Sequence, residues 1–245
     1  MKIGIDMGHT LSGADYGAVG IEVESVLTRE VGNKVIKKLQ NLGHNVVNCT
    51  VDYASSVGHS LQERVQRANN NNVDLFISIH FNCFNGHAFG SEVWTYGGKA
   101  FNEASNVLYE LGHLFKIRDI KDGSKLYVIK NTKMKAMVIE CCFCDNEGDM
   151  RIYNSEYIAN AIVRGLTGQA IPVAQKNVLR KTYRNGDKVK IAGTHYATGE
   201  KIPAWVKRTE HTIMQVKNDR VLLKEIYSWV YKKDIIKWLY PQINI

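Results

Sequence analysis

Three ionisable residues stand where apolar runs stop. His80 follows "LFISI" (75–79), His9 follows "IGIDMG" (3–8) and Glu140 follows "AMVI" (136–139). A fourth, Glu24, opens a long amphipathic stretch just after the loop "GADYGAVG" (13–20). Each has an ordinary reading. Neutral imidazole buries readily as a structural residue. Glu24 suits a helix start, where the backbone dipole favours a carboxylate, and Glu22 lies near enough to replace it. Glu140 is harder to set aside, because a carboxylate among apolar neighbours needs a partner. Together the residues suggest metal chemistry. Two histidines and one carboxylate with an open fourth position form a catalytic zinc set. Zinc brings the pKa of water to about 7, and a second carboxylate can carry that proton to a leaving amine. The expectation is one zinc ion held by His9, Glu24 and His80, with Glu140 as the acid/base.

Such convergence needs several parallel strands ending at one edge, where α/β sheets gather their ligands. The pattern supplies them. Strands are expected at 2–6, 44–49, 73–82, 90–98, 125–129 and 136–142. Helices are expected at 22–43, 60–70, 99–116 and 155–168. In the first helix Val23, Val26, Leu27, Val31, Val35, Leu39 and Leu42 recur at helical spacing, and Gly43 closes it. Ser60 and Glu63 read as a capping box for the second. Strand and helix alternate, which predicts an α/β fold with helices on both faces of a mostly parallel or mixed sheet. Past residue 168 the pattern shortens. Segments 187–193, 204–208, 211–218, 220–226 and 228–235 predict a small all-β barrel. The expected division is a catalytic unit over 1–170, a linker over 171–182 and a barrel over 183–245.

The 245 residues carry a net charge of +8, unevenly placed. Residues 175–245 hold 15 Lys/Arg and 6 Asp/Glu, net +9, which suggests a polyanionic partner such as nucleic acid or an anionic cell wall for the second unit. No apolar run approaches the roughly 20 residues that span a bilayer. The N-terminus "MKIGIDMGHT" lacks a signal-peptide pattern, so synthesis in a cytoplasm and action after release are expected. Five cysteines, three of them in "CCFC" (141–144), do not make a disulfide framework and read as reduced thiols near the core. His44, His59, His87, His113, His195 and His211 read as solvated or structural.

Four separated motifs, "IGIDMGHT…GAVG…E", "SLQERVQRAN…VDLFISIHFN", "GSEVW" and "LYVIKNTKMKAMVIECCFCDN", resemble the zinc-dependent N-acetylmuramoyl-L-alanine amidases of bacteria and phages over about residues 1–168. The resemblance implies zinc binding by His9, Glu24 and His80 and acid/base work by Glu140. It implies cleavage of the amide joining muramic acid to L-alanine in peptidoglycan. Glu24 is preferred to Glu22 because Val31 and Val35 then fall on the buried face. Asn82, two residues past His80, is expected to contact substrate or brace a ligand. Departures are Met7 where the family commonly has proline, Thr10 where it has glycine, and the cysteines after Glu140; Cys141 or Cys142 could compete as a soft ligand. The second unit resembles the bacterial SH3-like barrels attached to wall hydrolases. Trp205, Tyr227, Trp229 and Tyr231 are its expected wall-contacting aromatics, about half of them in the core on the alternative reading. The implied partner is a Gram-positive wall, with no nucleic acid and no membrane span, and the oligomeric state stays open. A phage or prophage endolysin is the expected role. The alternatives are a mother-cell autolysin in sporulation, another zinc wall amidohydrolase or peptidase, and a non-catalytic binder.

Overall fold

The structure, a computed structural model, describes residues 1–169 and 183–239. These fall into two compact units, one on each side of the stretch 170–182. The expected linker at 171–182 and the end of the expected barrel, 240–245, lie outside the described residues. No described helix is long and apolar enough to cross a membrane.

The first unit is built on β1 (Lys2–Met7), β3 (Asn45–Asn48), β5 (Leu75–Asn82), β6 (Ser91–Thr95), β7 (Ile117–Asp122) and β8 (Lys135–Phe143). They form one sheet in the order β3-β1-β5-β8-β6-β7. The β3, β1, β5 and β8 strands run parallel, while β6 lies antiparallel to β8, so the sheet is mixed. The short strands β2 (Ser12–Gly13) and β4 (Tyr53–Ala54) pair with each other outside it. Because both faces are covered, β5 reads as a continuous apolar run rather than an alternating one. Its odd-numbered residues Leu75, Ile77 and Ile79 pack with Leu27, Val31, Val35 and Leu39 of α1 (Glu24–Asn41). Helices α3 (Asn102–Leu111) and α6 (Ser155–Thr167) close that face, with the short α5 (Glu147–Ile152) preceding α6. Phe76 packs on the other face with Val65 of α2 (Val57–Asn70) and Val128 of α4 (Tyr127–Asn131). Past these apolar layers the polar strand ends meet.

Several expected elements differ. The second helix starts at Val57, not Ser60, because Ser56 caps it by accepting the His59 N–H at 3.2 Å. Ser60 is buried and donates to Asp15 instead, and Glu63 pairs with Arg67 on the helix surface. Segment 125–129, expected as a strand, gives the short helix α4, whose adjacent Val128 and Ile129 both enter the core. The strand there is β7, a mostly exposed edge whose polar sequence hides it. The third helix is correspondingly shorter than 99–116.

In the second unit β9 (Lys188–Ile191), β10 (His211–Val216), β11 (Arg220–Leu223), β12 (Ser228–Tyr231) and β13 (Ile235–Leu239) form an antiparallel sheet in the order β12-β11-β10-β9-β13. Segment 204–208 is not a strand but the helix α7 (Ala204–Arg208), which follows Pro203 and buries Val206. The core is aliphatic: Val189, Ile191, Ile202, Val206, Ile213, Val221, Leu223 and Val230, with Tyr183.

Candidate metal centre

His9 lies just past β1 with φ at 63°, in the left-handed region that few side chains other than glycine occupy. The conformation is held from outside. Arg29 Nη2 and Arg64 Nη2 both donate to the His9 carbonyl, at 2.7 and 2.5 Å. Thr10 is buried and its N–H donates to Asp15 O, so the loop keeps its shape with threonine there. The neighbouring glycines leave room for the rings. A Cβ on Gly8 would sit 2.3 Å from the His80 ring, and one on Gly17 would sit 2.6 Å from the His9 ring.

Glu24 is the first residue of α1 and is buried, whereas Glu22 is exposed. The Ala18 N–H donates to Glu24 Oε2 at 3.0 Å and the Phe81 N–H to Oε1 at 3.1 Å. The same two oxygens face the two imidazoles: Oε2 is 3.1 Å from His9 Nε2, and Oε1 is 3.0 Å from His80 Nδ1. The rings are 4.8 Å apart, edge to face. Among the described residues, His9, Glu24 and His80 are the group of three whose ligand atoms could hold a metal ion, all within 4.8 Å of one another. Cys141 and Cys142 do not join them. Both are fully buried in the apolar core, and burial pushes their thiols well above the usual range.

Glu140 stands beside His80 in register across β5 and β8. Both line a cavity of about 240 Å³ that is also lined by Leu61, Leu126, Tyr127 and Val128. Burial pushes the Glu140 carboxyl up to about 7, and its Oε2 has no hydrogen-bond partner. At Glu24, burial opposes ionisation, but the contacts with His80 and His9 outweigh it and hold the carboxyl well below its usual range. His9 shows the converse. Burial alone would lower its pKa, but the Asp15 and Glu24 carboxylates raise it to about 10. Asp15, whose Oδ1 lies 3.0 Å from His9 Nδ1, was not singled out in the sequence although its loop was. Two carboxylates thus draw positive charge onto the His9 position. A divalent ion facing Nε2 answers the same demand, so donor set, ring-shaped gaps and unengaged Glu140 oxygen fit a catalytic zinc site.

The Asn82 side chain bonds to Glu92 and to the Cys83 backbone. Its Oδ1 accepts the Cys83 N–H and its Nδ2 reaches Glu92 Oε2 at 3.4 Å, so it braces the strand end next to Glu140's cross-strand partner. In the second unit Trp205 and Tyr227 are exposed, while Trp229 and Tyr231 are half-buried on one face of β12. None of the four belongs to the core, since aliphatic residues fill it. Lys217 lies 4.8 Å over Trp229, and Lys233 and Arg220 lie 5.2 and 5.5 Å over Tyr231. His211 is buried and structural, its Nε2 2.8 Å from the Val206 carbonyl.

The sequence profile of the N-acetylmuramoyl-L-alanine amidase family matches residues 3–169. An uncharacterized protein of Clostridium perfringens is 38% identical over 164 residues, 64% of this chain and 48% of its own length. The N-acetylmuramoyl-L-alanine amidase CwlM of Bacillus licheniformis is 29% identical over 169 residues, 67% of this chain and 65% of CwlM. The catalytic domain of the CD27L endolysin, which targets Clostridia difficile, superposes with a TM-score of 0.65 at 31% identity, over 70% of this chain and 99% of that domain. The match thus spans about half the length of the C. perfringens relative and about two thirds of CwlM.

Proposed function

The chain belongs to the N-acetylmuramoyl-L-alanine amidase family, and from that membership we propose that it hydrolyses the amide between the lactyl group of muramic acid and L-alanine in peptidoglycan. The observation that carries the reading is the meeting of His9, Glu24 and His80 beside a cavity that His9 and His80 line together with a carboxylate, Glu140, that has an unengaged oxygen. His9, Glu24 and His80 would hold one zinc ion. Zinc in such a set polarises a carbonyl and brings water to a pKa of about 7. Glu140 accepts the proton of the attacking water, and its raised pKa near 7 suits it to return that proton to the leaving amine of L-alanine. The buried strand beneath His80 keeps the imidazole fixed while this happens.

The second unit we read as an SH3-like module that keeps the enzyme on the wall, with Tyr227 exposed and with Trp229 and Tyr231 beside Lys217, Arg220 and Lys233. Its division from the first unit, at residues 171–182, follows the sequence reading. Likeness to the CD27L catalytic domain favours an endolysin that reaches the wall after release from the cell. Digestion of purified Gram-positive peptidoglycan tests the reading. New L-alanine amino groups that disappear with a chelator are expected. New reducing ends, free D-alanine or acetate would overturn it.

A further inference from the structure

Beneath the candidate ligands lies a cluster of polar residues that the proposed reaction does not use: Asp6, Ser60, Arg64 and Ser78, each at 1% exposure or less. We propose that Arg64 is a positioning residue that sets which nitrogen of each histidine faces the metal. The inference rests on the zinc reading above and extends it inward.

Arg64 has five N–H donors, and all five are engaged. Nη1 contacts Asp6 Oδ1 and donates to the Met7 carbonyl at 2.9 Å. Nη2 donates to the carbonyls of His9 at 2.5 Å and Val51 at 3.0 Å. Nε donates to Ser60 Oγ at 3.1 Å. From this hub two chains of hydrogen bonds run outward, one to each histidine.

The first chain passes through Ser60. Its hydroxyl accepts from Arg64, and its single proton goes to Asp15 Oδ2 at 2.7 Å. Asp15 Oδ1 faces His9 Nδ1 at 3.0 Å. A carboxylate only accepts, so the His9 Nδ1 carries a proton, and Nε2, on the Glu24 side, is the nitrogen free to offer its lone pair once a metal is in place. The second chain passes through Asp6. Arg64 holds Oδ1, and Oδ2 takes the Ser78 hydroxyl proton at 2.6 Å. With that proton engaged, Ser78 Oγ can only accept from His80 Nε2, 3.1 Å away. With a metal in place the His80 lone pair is therefore offered from Nδ1, again on the Glu24 side. One buried cation thus imposes opposite tautomers on the two ligands. It also holds the His9 carbonyl in the strained turn that aims the first ring.

The test uses the full chain loaded with zinc and labelled with ¹⁵N-histidine. Correlation spectra should show His9 metallated at Nε2 and His80 at Nδ1. Ser60→Ala and Ser78→Ala, which each remove one hydroxyl, should weaken zinc about 10- to 100-fold in competition with a chromophoric chelator. Ser60→Ala should disturb the His9 signals and Ser78→Ala those of His80. Ser78→Thr, which keeps the hydroxyl, should restore both affinity and spectrum. Arg64→Lys should disturb both histidines. If it does not fold, the two serine variants decide alone. Wild-type protein without zinc would sink the zinc reading itself. Zinc held equally well by wild type and both serine variants, with unchanged histidine spectra, would leave that reading standing and overturn this one. An Arg64→Lys protein that is folded and disturbed at one histidine alone would overturn the shared hub.

Discussion

The two units treat charge in opposite ways. The first buries it: Asp6, Glu24, Arg64 and Glu92 are each at 4% exposure or less, far from the cheapest arrangement for ionisable groups. The second keeps a mainly aliphatic core, with Asp187 and His211 as the buried polar residues among those described, and carries cations stacked over aromatics on its surface. Burying charge costs stability and fixes geometry, which is what a metal and a proton carrier need. Surface cation–aromatic pairs fix little and are screened by salt, which suits reversible adhesion. The comparison predicts that damage to the first unit alters turnover, and damage to the second alters only residence on the wall.

The sharpest separation is expected from Glu140→Ala. Hydrolysis of a soluble muropeptide should fall about 10²- to 10⁴-fold while wall sedimentation stays unchanged, since general acid–base groups contribute roughly that much. A chain ending at residue 169 should do the reverse. Turnover of the soluble muropeptide should persist, while lysis of whole walls falls about tenfold or more and loses its salt dependence, read by turbidity at low and high ionic strength. Equal loss on both substrates would mean that the units are not separable in function. A pH profile sharpens the first side. Burial raises the Glu140 pKa to about 7, so below that the carboxyl holds a proton and cannot accept another. A nearby dication favours the ionised form, so kcat should rise with pH along a limb centred at or below 7, and this limb should vanish in Glu140→Ala. The smallest effect is expected at Trp229→Ala, a several-fold weaker wall affinity with unchanged soluble turnover, measured by co-sedimentation.

The candidate site residues were readable because each interrupts an apolar pattern: His9 stands just past β1, His80 and Glu140 in the last residues of β5 and β8, and Glu24 where a helix begins. Val31 and Val35, both fully buried, fixed the helix face and so separated Glu24 from Glu22. The supporting residues were hidden for the same reason. Asp6 and Ser78 lie inside strands, where period-2 patterning assigns a face but not a partner. Arg64 reads as one more charge on a surface helix until its guanidinium is seen bonded to Asp6 and the Met7 carbonyl, and Ser60 reads as a cap until Ser56 is seen in that place. Segments 125–129 and 204–208 misled because five residues mixing apolar and polar types fit a turn of helix as well as a strand. In the second unit the alternative reading put about half of the four aromatics in the core, but Val189, Ile191, Val221 and Val230 occupy it and leave Trp229 and Tyr231 half-buried outside it.

The account turns on His9, Glu24 and His80 holding the metal while Glu140 moves the proton. Zinc content and turnover measured together on wild type, His80→Ala and Glu140→Ala test this most directly. The expected result is about one zinc per chain in wild type and in Glu140→Ala, little or none in His80→Ala, and turnover in wild type alone. A fully active Glu140→Ala enzyme, or a His80→Ala protein that keeps its zinc, would contradict it.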